Sequence, residues 1–301
     1  MNHEGSTFLS GAAQDLSTLY CAKEGDRLAQ EDRSNSTFIT YQPAAEKQWD
    51  RYKGAYPWTA IAMATTRVDD GSTVVIAISP AGDYWELDAG TAIPLKGKIP
   101  KPGASLRALR TIERRTFAVG MGRKVLEREG PGQWTHIGPV IESGAPKMIV
   151  GFEDMDGFGG EDLYAVGWRG EVWRRTGWDW RVIDSPTSTN LNAVCCASNG
   201  IVYIAGDKGV FMVGREDQWS LIETNRRDTL QDVAESGGRI YCVTDFEILT
   251  LRNNQLVPDD AFVDDRRPAT CLHLVRTPTG LYSLGPKDVF VLRDGVWNQI
   301  V

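Results

Sequence analysis

Apolar residues in this chain come in runs of four to six, rich in valine, isoleucine, tyrosine and tryptophan, and broken by Gly, Asn, Asp and Ser. Such runs predict short strands joined by tight turns. Residues 191–196, 201–206, 209–213 and 219–222 form one succession, and 163–167, 170–174 and 180–183 form the one before it. No segment sustains apolar positions at intervals of three and four, so few helices are expected.

The runs repeat. A tryptophan, or an aliphatic residue in its place, recurs at Trp49, Ile93, Trp134, Trp180, Trp219, Leu256 and Trp297, at intervals of 37 to 46 residues. A period of this size marks a repeat architecture. Seven or eight positions before each stands an apolar or aromatic residue: Tyr41, Trp85, Leu126, Trp173, Phe211, Leu249 and Phe290. Further back lie Val75, Phe117, Tyr164, Tyr203, Tyr241 and Tyr282, with no good match in the first unit. Glycine follows four of these three residues on (Gly120, Gly167, Gly206, Gly285) and predicts a turn position with positive φ.

Seven units of about 43 residues, each with four strands, fit an all-β seven-bladed β-propeller of four-stranded antiparallel blades around a channel. One domain then spans residues 1–301, with blades near 12–52, 58–96, 104–138, 146–184, 190–223, 229–258 and 268–301. Ring closure has two forms open to it: face packing alone, or an added edge strand from residues 7–9.

Over residues 163–222 the phrases Tyr-Ala-Val-Gly, Gly-x-Val-Trp-Arg and Leu-x-Ala-Val resemble the propellers of the photosystem assembly-factor and BNR-like group, within the wider WD40/YVTN-like set. The resemblance covers three central blades and implies a fold, not an activity. Sialidases of that wider group carry Asp-boxes of the form Ser-x-Asp-x-Gly-x-Thr-Trp. The nearest segment, Glu129-Gly130-Pro131-Gly132-Gln133-Trp134, lacks the Ser, Asp and Thr, which argues against a sialidase.

A composition of 42% hydrophobic and 24% charged residues describes a globular protein, and 301 residues need no second domain. The chain has no run of 18 apolar residues, so no membrane helix is expected. Its start lacks the basic-then-apolar pattern of a secretory signal, so a cytoplasmic location is expected. Cys21, Cys195, Cys196, Cys242 and Cys271 are odd in number and lack metal-ligand spacing, which reads as reduced thiols packed in strands. The net charge of −7 disfavours general nucleic-acid binding and suits a basic protein partner.

Propeller topology places the turns between second and third strands on the same face as the connections between blades. The turns contain Arg123, Trp168, Arg169, Lys208 and Phe246; the connections contain Trp58, Arg226, Arg227, Asp264 and Arg266. An acidic run, Asp259, Asp260, Asp264 and Asp265, lies at one side. Aromatic and arginine side chains are the usual interface anchors, so this face is the expected partner-binding surface. Any one of these residues alone reads equally as a solvated turn; the collection carries the inference.

The segment from Asp154 to Leu163 alternates carboxylates with glycines ahead of a strand, and resembles the calcium loops of integrin-type propellers. In that pattern Asp154, Asp156 and Asp162 would be ligands, with Phe158 standing where another early carboxylate belongs. Calcium is the one candidate cofactor, and none is required.

His3, His136 and His273 have no spacing for metal or triad work, and Cys271 with His273 reads as core. No catalytic set emerges. The function expected is a non-catalytic, cytosolic protein-binding propeller of the kind that neutralises a bacterial toxin, an immunity protein whose partner is a basic toxin or nuclease. The alternative is a small-ligand or glycan-binding propeller, or a glycosidase or lyase, with Arg123, Arg169 and Lys208 gripping an anion at the channel mouth.

Overall fold

A computed structural model describes residues 3–69, 71–91, 93–100, 103–140 and 150–301. The chain forms seven four-stranded sheets, and in each the strands pair in sequence order. Every pairing is antiparallel, from Ser6–Asp15 with Thr18–Gly25 in the first blade to Val289–Arg293 with Val296–Gln299 in the last. The sheets cover residues 6–51, 62–98, 106–136, 152–183, 191–222, 232–258 and 273–299. The protein is a seven-bladed β-propeller.

The core is a ring of seams between blades. Among the described residues there are seven apolar clusters, and each joins two neighbouring blades. Tyr164 of blade 4 is buried with Val194, Val202 and Met212 of blade 5, and Tyr203 of blade 5 with Val233, Ile240 and Leu249 of blade 6. A strand shows alternate side chains to opposite faces, so each blade feeds two seams from one apolar run.

The tryptophan series faces the preceding blade. Trp219 meets Tyr164 edge-on at 6.0 Å, and Trp297 meets Tyr241 edge-on at 5.8 Å. Trp297 is fully buried and donates its Nε1 proton to Asp259 Oδ2 at 3.3 Å. Ile93 departs from the series: it lies outside the strands and is 83% exposed. The outer strand of its blade, Leu95–Lys98, is exposed throughout, and Trp85 stacked on Phe38 at 4.2 Å fills that seam instead.

The ring closes by face packing. Residues 7–9 belong to the innermost strand of blade 1, Ser6–Asp15, and do not extend another sheet. Phe8, Leu19, Cys21 and Ile39 of blade 1 are buried with Val275, Tyr282, Leu284 and Val289 of blade 7. Polar bonds reinforce this seam: Phe8 N to Pro286 O at 2.9 Å, Tyr282 OH to Leu16 O at 3.1 Å, and Lys287 Nζ to Asp26 Oδ2 at 2.8 Å. Leu19 and Cys21 supply the second-strand core that sequence reading did not find in the first unit.

The recurring glycine has a different reason from the one expected. Gly120, Gly167, Gly206 and Gly285 are absent from the glycines with positive φ. A Cβ on each would collide with the carbonyl oxygen of Ser105, Gly151, Asn190 or Thr270, respectively, where the connection from the preceding blade crosses over. Close approach of backbone demands the glycine here. The positive φ falls one turn later, on Arg123, Arg169 and Lys208.

Trp297→Ala should lower the unfolding free energy by about 3–5 kcal/mol, the cost of deleting a fully buried aromatic. Ile93→Ser should change it by less than about 0.5 kcal/mol, as exposed positions do. Urea unfolding of both variants checks whether the period or the seam decides.

Candidate functional site

Antiparallel strands reverse direction at every turn, so the second-to-third turns and the blade connections meet at one end of the ring. Hydrogen bonds join them: Asp207 N to Asn190 O at 3.0 Å, Leu230 N to Gly206 O at 3.0 Å, and Cys271 N to Asp245 O at 2.7 Å. All ten expected partner-binding residues lie in these segments.

Four of the ten are engaged within the fold. Trp58 is half-buried against Phe38 and Tyr56, with ring centres at 5.9 and 5.8 Å. Arg123 donates Nε to Glu171 Oε2 at 2.8 Å and lies over Trp173. Trp168 donates its indole proton to Glu153, a carboxyl that burial pushes above its usual range against the pull of Arg107 and of that indole. Arg226 pairs with Asp228 at 2.7 Å and also with Glu247. The other six, Arg169, Lys208, Arg227, Phe246, Asp264 and Arg266, are exposed.

Asp259 leaves the acidic surface that the sequence suggested. It is buried and takes bonds from Trp297 Nε1 and Ala261 N, so it anchors the connection from inside. Asp260, Asp264 and Asp265 stay exposed.

At 154–162 the backbone differs from the loop expected from the sequence. It is not a loop: Phe152–Gly159 is the innermost strand of blade 4, and Asp162 opens the next strand. Asp154 accepts both arms of Arg110, from Nε at 2.7 Å and Nη2 at 2.8 Å, and the N–H of Val194 at 3.0 Å. Asp156 accepts Arg276 Nη1 at 2.6 Å and the N–H of Cys196 at 2.8 Å. Asp162 faces elsewhere, held by Arg174 Nε at 2.8 Å. Each of the three carboxylates thus bonds a guanidinium group. Among the described residues, no three His, Cys, Asp or Glu side chains are grouped to hold a metal.

Asp154 and Asp156 belong to a network across the channel. Arg110 of blade 3 also reaches Asp232 of blade 6 at 3.5 Å, and Asp232 accepts the N–H of Leu274 in blade 7 at 2.8 Å. Burial pulls the Arg110 guanidinium down, but the charges of Asp154 and Asp232 outweigh it and hold the group above its ordinary value. Burial lowers His273, which also lines the channel. A cavity of about 520 Å³ remains, walled on one side by Ser10–Ala13 and Ala62–Ala64. Sequence reading missed Arg110, Asp232 and Arg276; charged residues on otherwise apolar innermost strands were the available signal.

No family model matches the chain. Over 202 residues it is 34% identical to "Immune protein Tsi7" of Pseudomonas aeruginosa, covering 65% of this chain and 64% of that protein. The chain therefore aligns with just under two-thirds of that relative's length. Among solved structures, the WD40 propeller domain of Doa1 superposes with a TM-score of 0.68 at 8% identity, over 97% of this chain and 93% of that one. "YCF48 bound to D1 peptide" gives a TM-score of 0.56 at 14% identity, over 79% and 80% of the two chains. These structures share the fold with this chain.

Arg110→Met should destabilise the protein by about 3–5 kcal/mol, since it strands Asp154 and Asp232 without a counter-charge; equilibrium denaturation measures this. Millimolar calcium should leave the melting temperature unchanged, because arginines already satisfy Asp154, Asp156 and Asp162. A calcium-dependent rise would support calcium binding at these carboxylates.

Proposed function

We propose that this propeller is a non-catalytic immunity protein of the cytoplasm that neutralises a toxin by binding it through the face of second-to-third turns and blade connections. The observation that carries this reading is the 34% identity to an immune protein over 202 residues. Structural support comes from four exposed residues on one face, Arg169, Arg227, Phe246 and Arg266, of the types that anchor interfaces. The net charge of −7 favours encounter with a basic toxin, such as one that acts on nucleic acid. No helix among the described residues is long and apolar enough to cross a membrane.

A small ligand in the channel is the weaker reading. The cavity has ligand-like volume, but Arg110 and Arg276 spend their charge on Asp154, Asp232 and Asp156. Arg123, proposed to grip an anion at the mouth, is held by Glu171.

The test is capture followed by inhibition. The tagged chain, expressed in its native host, should recover one stoichiometric protein whose toxic activity is abolished by an equimolar amount of the purified propeller. Recovery of no such protein, or of one whose activity the propeller leaves intact, would contradict the proposal.

A further inference from the structure

Phe246 is 68% exposed and belongs to none of the seven apolar clusters, so the fold itself does not require it. It nevertheless sits on a stiff support. Buried Thr244 accepts, through Oγ1, the N–H groups of Phe246 at 3.2 Å and Glu247 at 3.1 Å. The backbone of Thr244 donates to Glu247 O at 3.0 Å, closing the turn. On one shoulder Gln231 Nε2 donates to Asp245 Oδ1 at 2.7 Å; on the other Arg226 holds Glu247. Cys271 N donates to Asp245 O at 2.7 Å, tying the turn to the connection that leads into blade 7. A rigid, two-torsion aromatic loses little freedom when it is buried by a partner.

The ground immediately beside it is acidic, while exposed Arg227, Arg266 and Arg267 lie farther along the neighbouring connections, Arg267 paired with Asp265. Asp245 and Glu247 flank the ring in sequence, and Asp228, Asp260, Asp264 and Asp265 lie on the two neighbouring connections, all outside the buried core. Arg226 offsets Asp228 and Glu247, and Arg252 offsets Asp260. Asp245 and Asp264 make no salt bridge among the described residues. Beside the ring Asp228, Asp245 and Glu247 outnumber Arg226, so a protein pocket with a cationic edge at that point would be drawn to it.

We infer that Phe246 is the anchor of the binding face, and that it inserts into an apolar pocket of the partner whose rim carries lysine or arginine. This rests on the immunity reading and adds to it the chemistry of the partner's surface. Desolvated aromatics at the centre of an interface dominate affinity, while the polar rim steers approach.

The test uses the stoichiometric protein recovered by the wild-type chain, purified separately and titrated by calorimetry against the wild-type propeller and four variants. Phe246→Ala should weaken binding at least about 30-fold with an unchanged melting temperature, and Phe246→Trp should restore most of the affinity. Asp245→Asn should flatten the dependence of affinity on salt. Trp178→Ala is the control: that side chain is 80% exposed, but in a third-to-fourth strand turn at the opposite end of the ring. Wild-type affinity in Phe246→Ala would overturn the anchor and leave the immunity reading standing. A wild-type chain that binds no protein would remove both.

Discussion

Each blade of this ring buries its apolar faces only against its two neighbours, and the last seam, between blades 7 and 1, closes the series. No blade has a core of its own, because all seven apolar clusters lie between sheets. Stability is therefore a chain of nearest-neighbour terms that ends on itself. Nothing in the topology exchanges a strand across the closing seam. Phe8, Trp49 and Tyr282 hold it by burial, with Lys287 and Asp26 bonded at the surface above.

That constraint fixes where variation is tolerated. Innermost strands have a free backbone edge facing the channel, and in three places an aspartate from the preceding blade accepts its N–H: Asp154 at Val194, Asp156 at Cys196, and Asp232 at Leu274. Arg110 and Arg276 then neutralise those buried carboxylates across the channel. The charges that look functional in the channel are spent on closing edges. At the turn end of the ring, by contrast, backbone contacts between turns and connections hold exposed side chains in place without consuming them. Lys208 and Phe246 are presented; they are not packed.

The fold was legible because every seam requires a large apolar residue at the same place in each repeat, so geometry becomes a period. Ile93 marks the limit of that logic: spacing alone assigns it to the series, but Trp85 already fills its seam. The turn glycines show another limit. Their position was readable, but their cause, a carbonyl crossing from the previous blade, exists only in three dimensions. The alternating aspartates and glycines at 154–160 read alike as loop or strand, and only the facing arginines decide. Arg110 meets Asp232 across 122 residues, and Arg276 meets Asp156 across 120, so no local spacing could reveal them. The ten turn and connection residues lie at one end of the ring, as expected, because topology alone assigns a turn to a face. The ties of Arg123 and Trp168 were not readable, since the Glu171 and Glu153 they engage lie in other turns and strands.

The central claim is that this protein works by presenting one end of a closed ring to another protein. Hydrogen–deuterium exchange of the chain, alone and with its captured partner, tests this most directly. The account predicts new protection confined to the second-to-third turns and blade connections around Arg169, Lys208, Arg227 and Phe246, with none at the hairpin bearing Trp178. Protection centred on the opposite end, or on the channel strands around Arg110 and Arg276, would contradict it.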